Sequence, residues 1–90
     1  MSSYGKDKEE LLKRLRRIEG QIGGIQRMIE QDKYCVDILV QIAAARSALN
    51  SVGMMLLESH TRGCVARAIK EDNGESAIAE LTEVVRRFVK

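Results

Sequence analysis

The chain has no proline, no tryptophan and only three aromatic residues, Tyr4, Tyr34 and Phe88. Strand-rich folds lean on aromatic and β-branched residues and on proline-marked turns. Here Leu, Ile, Ala, Glu, Lys and Arg dominate instead, which points to helices. Two cysteines are too few for a disulfide framework, so the chain is expected to be cytoplasmic, where thiols stay reduced. No apolar run approaches the roughly 20 residues of a bilayer span. Charges from Lys6 to Glu10 exclude a visible secretory leader, and no membrane partner is expected. One histidine, no phosphate-binding loop and no nucleophile–base–orienter set argue against an enzyme.

A chain of 90 residues is expected to form one domain, 1–90. Alone it can bury only part of its surface, and such chains often gain stability by oligomerising. Three helices are expected, over about 6–31, 34–70 and 75–89, giving an all-α fold. In the first, Leu11, Leu15, Ile18, Ile22, Ile25 and Ile29 alternate in steps of four and three, one face of an amphipathic helix. In the second, Ile38, Ile42, Ala45, Leu49, Val52 and Leu56 repeat that spacing. Leu39, Val40, Ala43, Met54, Met55 and Leu57 spread apolar character further round that cylinder, beyond what one neighbour can cover. Asp32 is the expected N-cap of the second helix. Asp72, with Glu75 three residues on, resembles a capping box before the third, whose apolar face is Ile78, Leu81, Val85 and Phe88.

Three residues stand out as metal ligands: Cys35, His60 and Cys64. His60 and Cys64 are four apart on a helix, hence on one face about a turn apart. Cys35 lies 25 residues before His60, about 37 Å along a straight helix at 1.5 Å per residue. Ligand bonds of about 2.0–2.3 Å cannot bridge that span within one chain. An antiparallel second copy, with its twofold near residues 48–50, brings Cys35 of one protomer to His60 and Cys64 of the other and makes two equal sites. Ala43, Ala44, Ala45, Ser47, Ala48, Ser51 and Gly53 are small enough for close helix approach. The competing reading is a pair of small buried hydrophobes and a hydrogen-bonded histidine. Two thiolates and an imidazole suit Cu(I). Zn(II) is possible if Glu58, Glu80 or water supplies a fourth ligand.

Net charge is +2, unevenly spread. Residues 1–27 carry seven basic and four acidic side chains, and Lys13, Arg14, Arg16 and Arg17 fall within five positions. On a helical projection Lys13, Arg16 and Arg27 lie opposite the apolar stripe, with Gly20, Gly23 and Gly24 on their side. Arg17 is lateral and Arg14 flanks the apolar edge. Cations beside bare backbone suit a nucleic-acid phosphate chain, whose counterions they release. The alternatives are a solvated face, or glycines packing another helix. No helix-turn-helix or zinc-finger pattern is present.

Taken together, these residues resemble the copper-sensitive operon repressor (CsoR) family, which also contains nickel/cobalt and formaldehyde sensors. The resemblance covers nearly the whole chain. It rests on Leu12-Lys13-Arg14-Leu15-Arg16-Arg17-Ile18-Glu19-Gly20-Gln21-Ile22, on Tyr34-Cys35-Val36-Asp37 with Gln41-Ile42-Ala43-Ala44-Ala45-Arg46, and on His60 with Cys64. It implies an antiparallel all-α dimer that pairs into a tetramer and a repressor that leaves operator DNA when its effector binds. The copper branch uses a Cys-His-Cys set, matched by Cys35, His60 and Cys64, with one Cu(I) per chain shared between protomers. Tyr34 and Glu80 match residues that support those ligands by hydrogen bonding. The nickel/cobalt branch has His in place of Cys64 and a further N-terminal His. The formaldehyde branch is usually Pro where Ser2 stands. The persulfide branch lacks the histidine between its cysteines. The family's DNA-contacting cations map onto Arg14, Arg16, Arg17 and Arg46, and Lys13 shares their helix. Ser51 replaces an Arg of some copper sensors, so that contact is missing or shifted. The rival functions are a copper carrier without DNA, a thiol-based redox or electrophile sensor, and a helical dimer without a ligand.

Overall fold

A computed structural model describes residues 4–89. Among these residues the backbone is helical apart from short connections, and no strand is present. A 3₁₀ turn, Gly5–Asp7, leads into α1, Lys8–Glu30. Next come α2, Cys35–His60, a π-helical turn, Thr61–Val65, and α3, Ala66–Lys70, with no break in the helical run. The last helix is α4, Gly74–Phe88. The chain forms two compact units, one of Lys6–Leu56, the other of residues 57–89 with Tyr4 and Gly5.

In the first unit, each apolar stripe divides into two lines of seven-residue spacing. On α1, Leu11 and Ile18 are buried and Ile25 is half-buried. Leu15, Ile22 and Ile29 remain 36%, 49% and 58% exposed. On α2, Ala45 and Val52 are buried and Ile38 is half-buried. Ile42, Leu49 and Leu56 remain 42%, 51% and 38% exposed. Seven residues are two helical turns, so each line is one seam of a bundle. Leu11, Ile18 and Val52 form the closed core, with Ala48 and Met55 packed against it. The alternate lines form a second seam that the described residues leave exposed. Leu39 and Val40, on α2, are exposed too, as the many-sided apolar pattern requires.

The helical run Cys35–Lys70 is long and apolar enough, by length and composition alone, to cross a bilayer, which counting unbroken apolar residues does not detect. Arg46 in its interior would cost about 2.5–3.5 kcal/mol at a bilayer centre on insertion scales.

The connections differ from the expected caps. Asp32 and Asp72 sit in the left-handed region, with φ of 55° and 59°. Lys33 N–H donates to the Met28 carbonyl at 3.0 Å and Asp32 N–H to that of Ile29 at 3.1 Å. Asn73 N–H donates to Ala68 at 2.7 Å and Asp72 N–H to Ile69 at 3.3 Å. Both pairs are Schellman closures, with Asp where glycine is usual. The two aspartates therefore end the preceding helices and do not cap the next ones. Asn73 is the residue before α4, and it makes no side-chain capping bond.

In the second unit, Val65 is buried, and α4 packs against α3 and the π-helical turn. Gly74 permits this approach. A β-carbon there would lie 2.8 Å from Ile69 Cγ1 and 3.2 Å from Ile69 Cα.

Two substitutions test these connections. Asp32→Gly should stabilise the protein by up to about 1 kcal/mol, because it removes both the left-handed strain and a negative charge at the α1 C-terminus. Gly74→Ala should destabilise it by about 1–3 kcal/mol through overpacking on Ile69. Urea denaturation at one fixed protomer concentration reads both.

Candidate functional site

The ligand candidates are placed by helix ends. Cys35 is the first residue of α2, exposed, and follows Tyr34, whose side chain is also exposed. Tyr34 holds the N-cap position, its carbonyl accepting from Asp37 N–H at 3.0 Å. His60 is the last residue of α2, and α2 is one helix of 26 residues between them. Cys64 lies inside the π-helical turn, and His60 and Cys64 are both half-buried. Neither cysteine is in a disulfide.

The π-helical turn was not expected from the sequence. Its local chemistry is visible in retrospect. The Thr61 hydroxyl donates to the Leu57 carbonyl at 2.9 Å, a back-bond that bends helices. Gly63 lowers the helix propensity of the same turn. In the widened turn, residues four apart fall slightly short of a full turn, not slightly beyond one. His60 and Cys64 therefore stay on one side of the helix. Such turns are frequent at functional sites.

Among the described residues no three His, Cys, Asp or Glu side chains gather closely enough to hold one ion. Glu58, a candidate fourth ligand, pairs with Arg62 at 3.1 Å. Both are exposed, and a pair of this kind contributes at most about 1 kcal/mol. Glu80 is exposed on α4. Ser2 and Ser3 lie outside the described residues.

The basic candidates Lys13, Arg14, Arg16 and Arg17 on α1 and Arg46 on α2 are all exposed. Arg14 is partly neutralised, its Nε lying 3.0 Å from Glu10 Oε2. Arg14 and Arg17 also line a cavity of about 220 Å³ between α1 and α2, with Glu10, Gln21 and Ser51. Lys13, Arg16 and Arg46 do not line it. Sequence reasoning missed both the cavity and Gln21, since neither follows from helical spacing. Around Gly20 a β-carbon would meet nothing within 4 Å.

Comparison with known proteins places these features in a context. A family model described as metal-sensitive transcriptional repressor matches residues 7–87. The copper-sensing transcriptional repressor CsoR of Bacillus subtilis (strain 168) is 54% identical over 85 residues, covering 94% of this chain and 84% of that one. The copper-sensing transcriptional repressor RicR of Mycobacterium tuberculosis (strain ATCC 25618 / H37Rv) is 47% identical over 89 residues, covering 97% and 93%. Among solved structures, the copper-sensing repressor CsoR with Cu(I) from Geobacillus thermodenitrificans NG80-2 superposes with a TM-score of 0.90 at 51% identity, over 96% of this chain and 90% of that one. The nickel-responsive transcriptional regulator InrS does so with a TM-score of 0.76 at 41% identity, over 89% and 90%.

The open space at Gly20 gives a direct test of the basic face. Gly20→Ala should raise stability by roughly 0.5–1 kcal/mol, the usual helix-interior gain, measured by urea denaturation. A loss of stability would show instead that a second copy of the chain packs on that backbone.

Proposed function

Because the chain belongs to the metal-sensitive transcriptional repressor family, we propose that it is a Cu(I)-responsive repressor, binding operator DNA when metal-free and releasing it when Cu(I) binds. Residues 1–90 act as one sensing domain in the cytoplasm. The observation that carries the reading is the placement of three soft donors. A thiol opens an unbroken 26-residue helix, an imidazole closes it, and a second thiol follows in the next turn. One straight helix keeps its two ends apart. Cys35 of one protomer is therefore proposed to share an ion with His60 and Cys64 of the partner subunit, one Cu(I) per chain.

The uncovered seam supports the dimer this requires. Leu15, Ile22 and Ile29 with Ile42, Leu49 and Leu56 present six large apolar side chains along the two long helices. Full burial of each is worth about 1.5–3 kcal/mol. A second copy, laid antiparallel, covers the same residues with the same residues, as a twofold contact does. Pairing of dimers into a tetramer belongs to the same proposal.

The donor set fits the ion. Two thiolates and one imidazole are soft, which suits Cu(I), whereas structural Zn(II) takes four ligands. Zn(II) would bind as a non-cognate ion needing Glu58, Glu80 or water. Tyr34 and Glu80 are assigned to hydrogen bonding around the ligands. When bound, Cu(I) supplies a bond between protomers that exists in one arrangement of helices and not in another. That difference in affinity between states is all the release of DNA requires. Lys13, Arg14, Arg16, Arg17 and Arg46 provide the cations for the operator.

Mixed dimers test the shared site. Cys35→Ala alone, or His60→Ala with Cys64→Ala, should abolish Cu(I)-driven release of DNA in homodimers. Each should leave metal-free operator affinity within about threefold. Mixed dimers of the two variants, isolated by two different affinity tags, should hold one intact site of two and so half the wild-type Cu(I) per dimer by competition with a chelator. A site built within one chain would stay empty in the mixture. A His60→Ala variant that still released DNA would favour the thiol sensor.

The open seam has its own test. Leu49→Lys should shift the dimer to monomer at micromolar concentration in sedimentation velocity, with helicity partly retained.

A further inference from the structure

The connection from α3 to α4 ends in Asn73, and α4 begins with Gly74. Packing compels that glycine. A β-carbon at position 74 would lie 2.8 Å from Ile69 Cγ1 and 3.2 Å from Ile69 Cα. Asn73 is exposed, and its side chain makes no capping bond to α4. An asparagine amide carbon is thus left next to the one residue type whose backbone nitrogen no side chain screens. The Gly74 N–H stands at the first position of α4, where a helix offers it no internal partner.

We propose that Asn73-Gly74 is a self-modifying site. The Gly74 nitrogen attacks Asn73 Cγ and forms a C–N bond. The side-chain amide C–N bond breaks, and ammonia leaves with the proton that the Gly74 nitrogen carried. Water then opens the succinimide ring at either of its carbonyls, which gives aspartate or isoaspartate at position 73. The inference goes beyond the metal-sensing reading and does not depend on it.

The fold regulates this step. Asn73 has ψ of 22°, which holds the Gly74 nitrogen on the far side of the Cα–C bond from the β-carbon. Ring closure requires rotation about that bond, hence fraying of the first turn of α4. That turn is lightly held. The Asn73 carbonyl accepts from Ala77 N–H at a long 3.3 Å, and no described residue of α4 is buried. Segments with few buried contacts open far more often than the whole chain unfolds.

The two products act on α4 in opposite senses. Aspartate places a carboxylate at the N-terminus of the helix, where it can cap and complement the dipole. Isoaspartate adds a methylene to the main chain of a connection only three residues long, 71–73, just where Gly74 lies against Ile69. With the chain lengthened there, α4 loses its seat on α3.

Two measurements decide it. In the first, wild-type protein is incubated in mildly alkaline buffer and mapped by peptide mass spectrometry with fragmentation that separates isoaspartate from aspartate. Asn50, the only other asparagine, precedes Ser51 inside α2 and is the internal control. Asn73 should convert at least about tenfold faster than Asn50, whose release needs α2 to open. Conversion at Asn73 should accelerate in unfolding urea, and isoaspartate must be among its products. An Asn73 that persists as long as Asn50, or that yields aspartate alone, overturns the proposal. In the second, the isoaspartyl fraction is isolated by hydrophobic-interaction chromatography and compared with Asn73→Asp by hydrogen exchange. Its α4 amides should exchange about tenfold faster than those of Asn73→Asp. Equal protection in the two would overturn the loosening of α4.

Discussion

The structure depends on an apolar surface that one chain cannot close. Each long helix carries two heptad lines. One line from each meets the other in a small core, Leu11 and Ile18 against Val52. The remaining lines face outward over the same length of helix. A free monomer would keep all of this surface in water, at a cost that rivals the few kcal/mol by which small domains are stable. The association proposed to remove that cost would also determine what can be built at the helix ends. Two helices laid antiparallel bring the start of one to the end of the other. The proposed ligand set, Cys35 at the start of α2 with His60 and Cys64 at and just past its end, requires that setting.

The same argument explains why one helix can serve both partners. On α1 the open apolar line and the exposed cations share 23 residues of continuous helix. A rigid element has no means of moving one face without the other. In the proposed dimer, any rearrangement of the seam would therefore move Arg14, Arg16 and Arg17 relative to the matching residues of the second copy. Electrostatics alone is a smaller effect. The net charge is only +2, and Arg14 already shares its charge with Glu10. In the proposed assembly, the spacing of these cations, more than their number, is what an effector would alter.

Much of this was legible in the sequence because helical spacing is a strict code. The four-and-three steps from Leu11 to Ile29 and from Ile38 to Leu56 fixed both helices and their apolar faces, of which only alternate residues are buried within the chain. The separation of Cys35 from His60 needed only the rise per residue. The turns were misread for a physical reason. In a three- or four-residue connection, aspartate satisfies two demands equally well, capping the next helix or adopting the left-handed end of the last. Asp32 and Asp72 take the second course. The π-helical turn has no such single-residue signal: Thr61 bonds back to the Leu57 carbonyl, but Thr82 makes the same bond to Ile78 inside α4, which stays α-helical. The environment of Gln21 depends on how Arg14, Arg17 and Ser51 from two helices enclose it, which no periodicity encodes.

The identity of the metal cannot be carried by the fold, because a copper-sensing repressor and a nickel-responsive regulator share this backbone closely. Discrimination must sit in the donor atoms. Replacing a single sulfur ligand by an imidazole exchanges a soft, polarisable anion for a harder neutral nitrogen, and the preference moves from Cu(I) toward Ni(II) or Co(II). The residue at position 64 is where this chain supplies a thiol. Geometry reinforces the choice. Three donors, two of them on adjacent turns of one helix, satisfy an ion content with three-coordination, whereas an octahedral ion would have to recruit further nitrogen and oxygen ligands from side chains. One such side chain, Glu58, is already engaged with Arg62. The selectivity proposed for this sensor thus follows from how few donors are offered as well as from what they are.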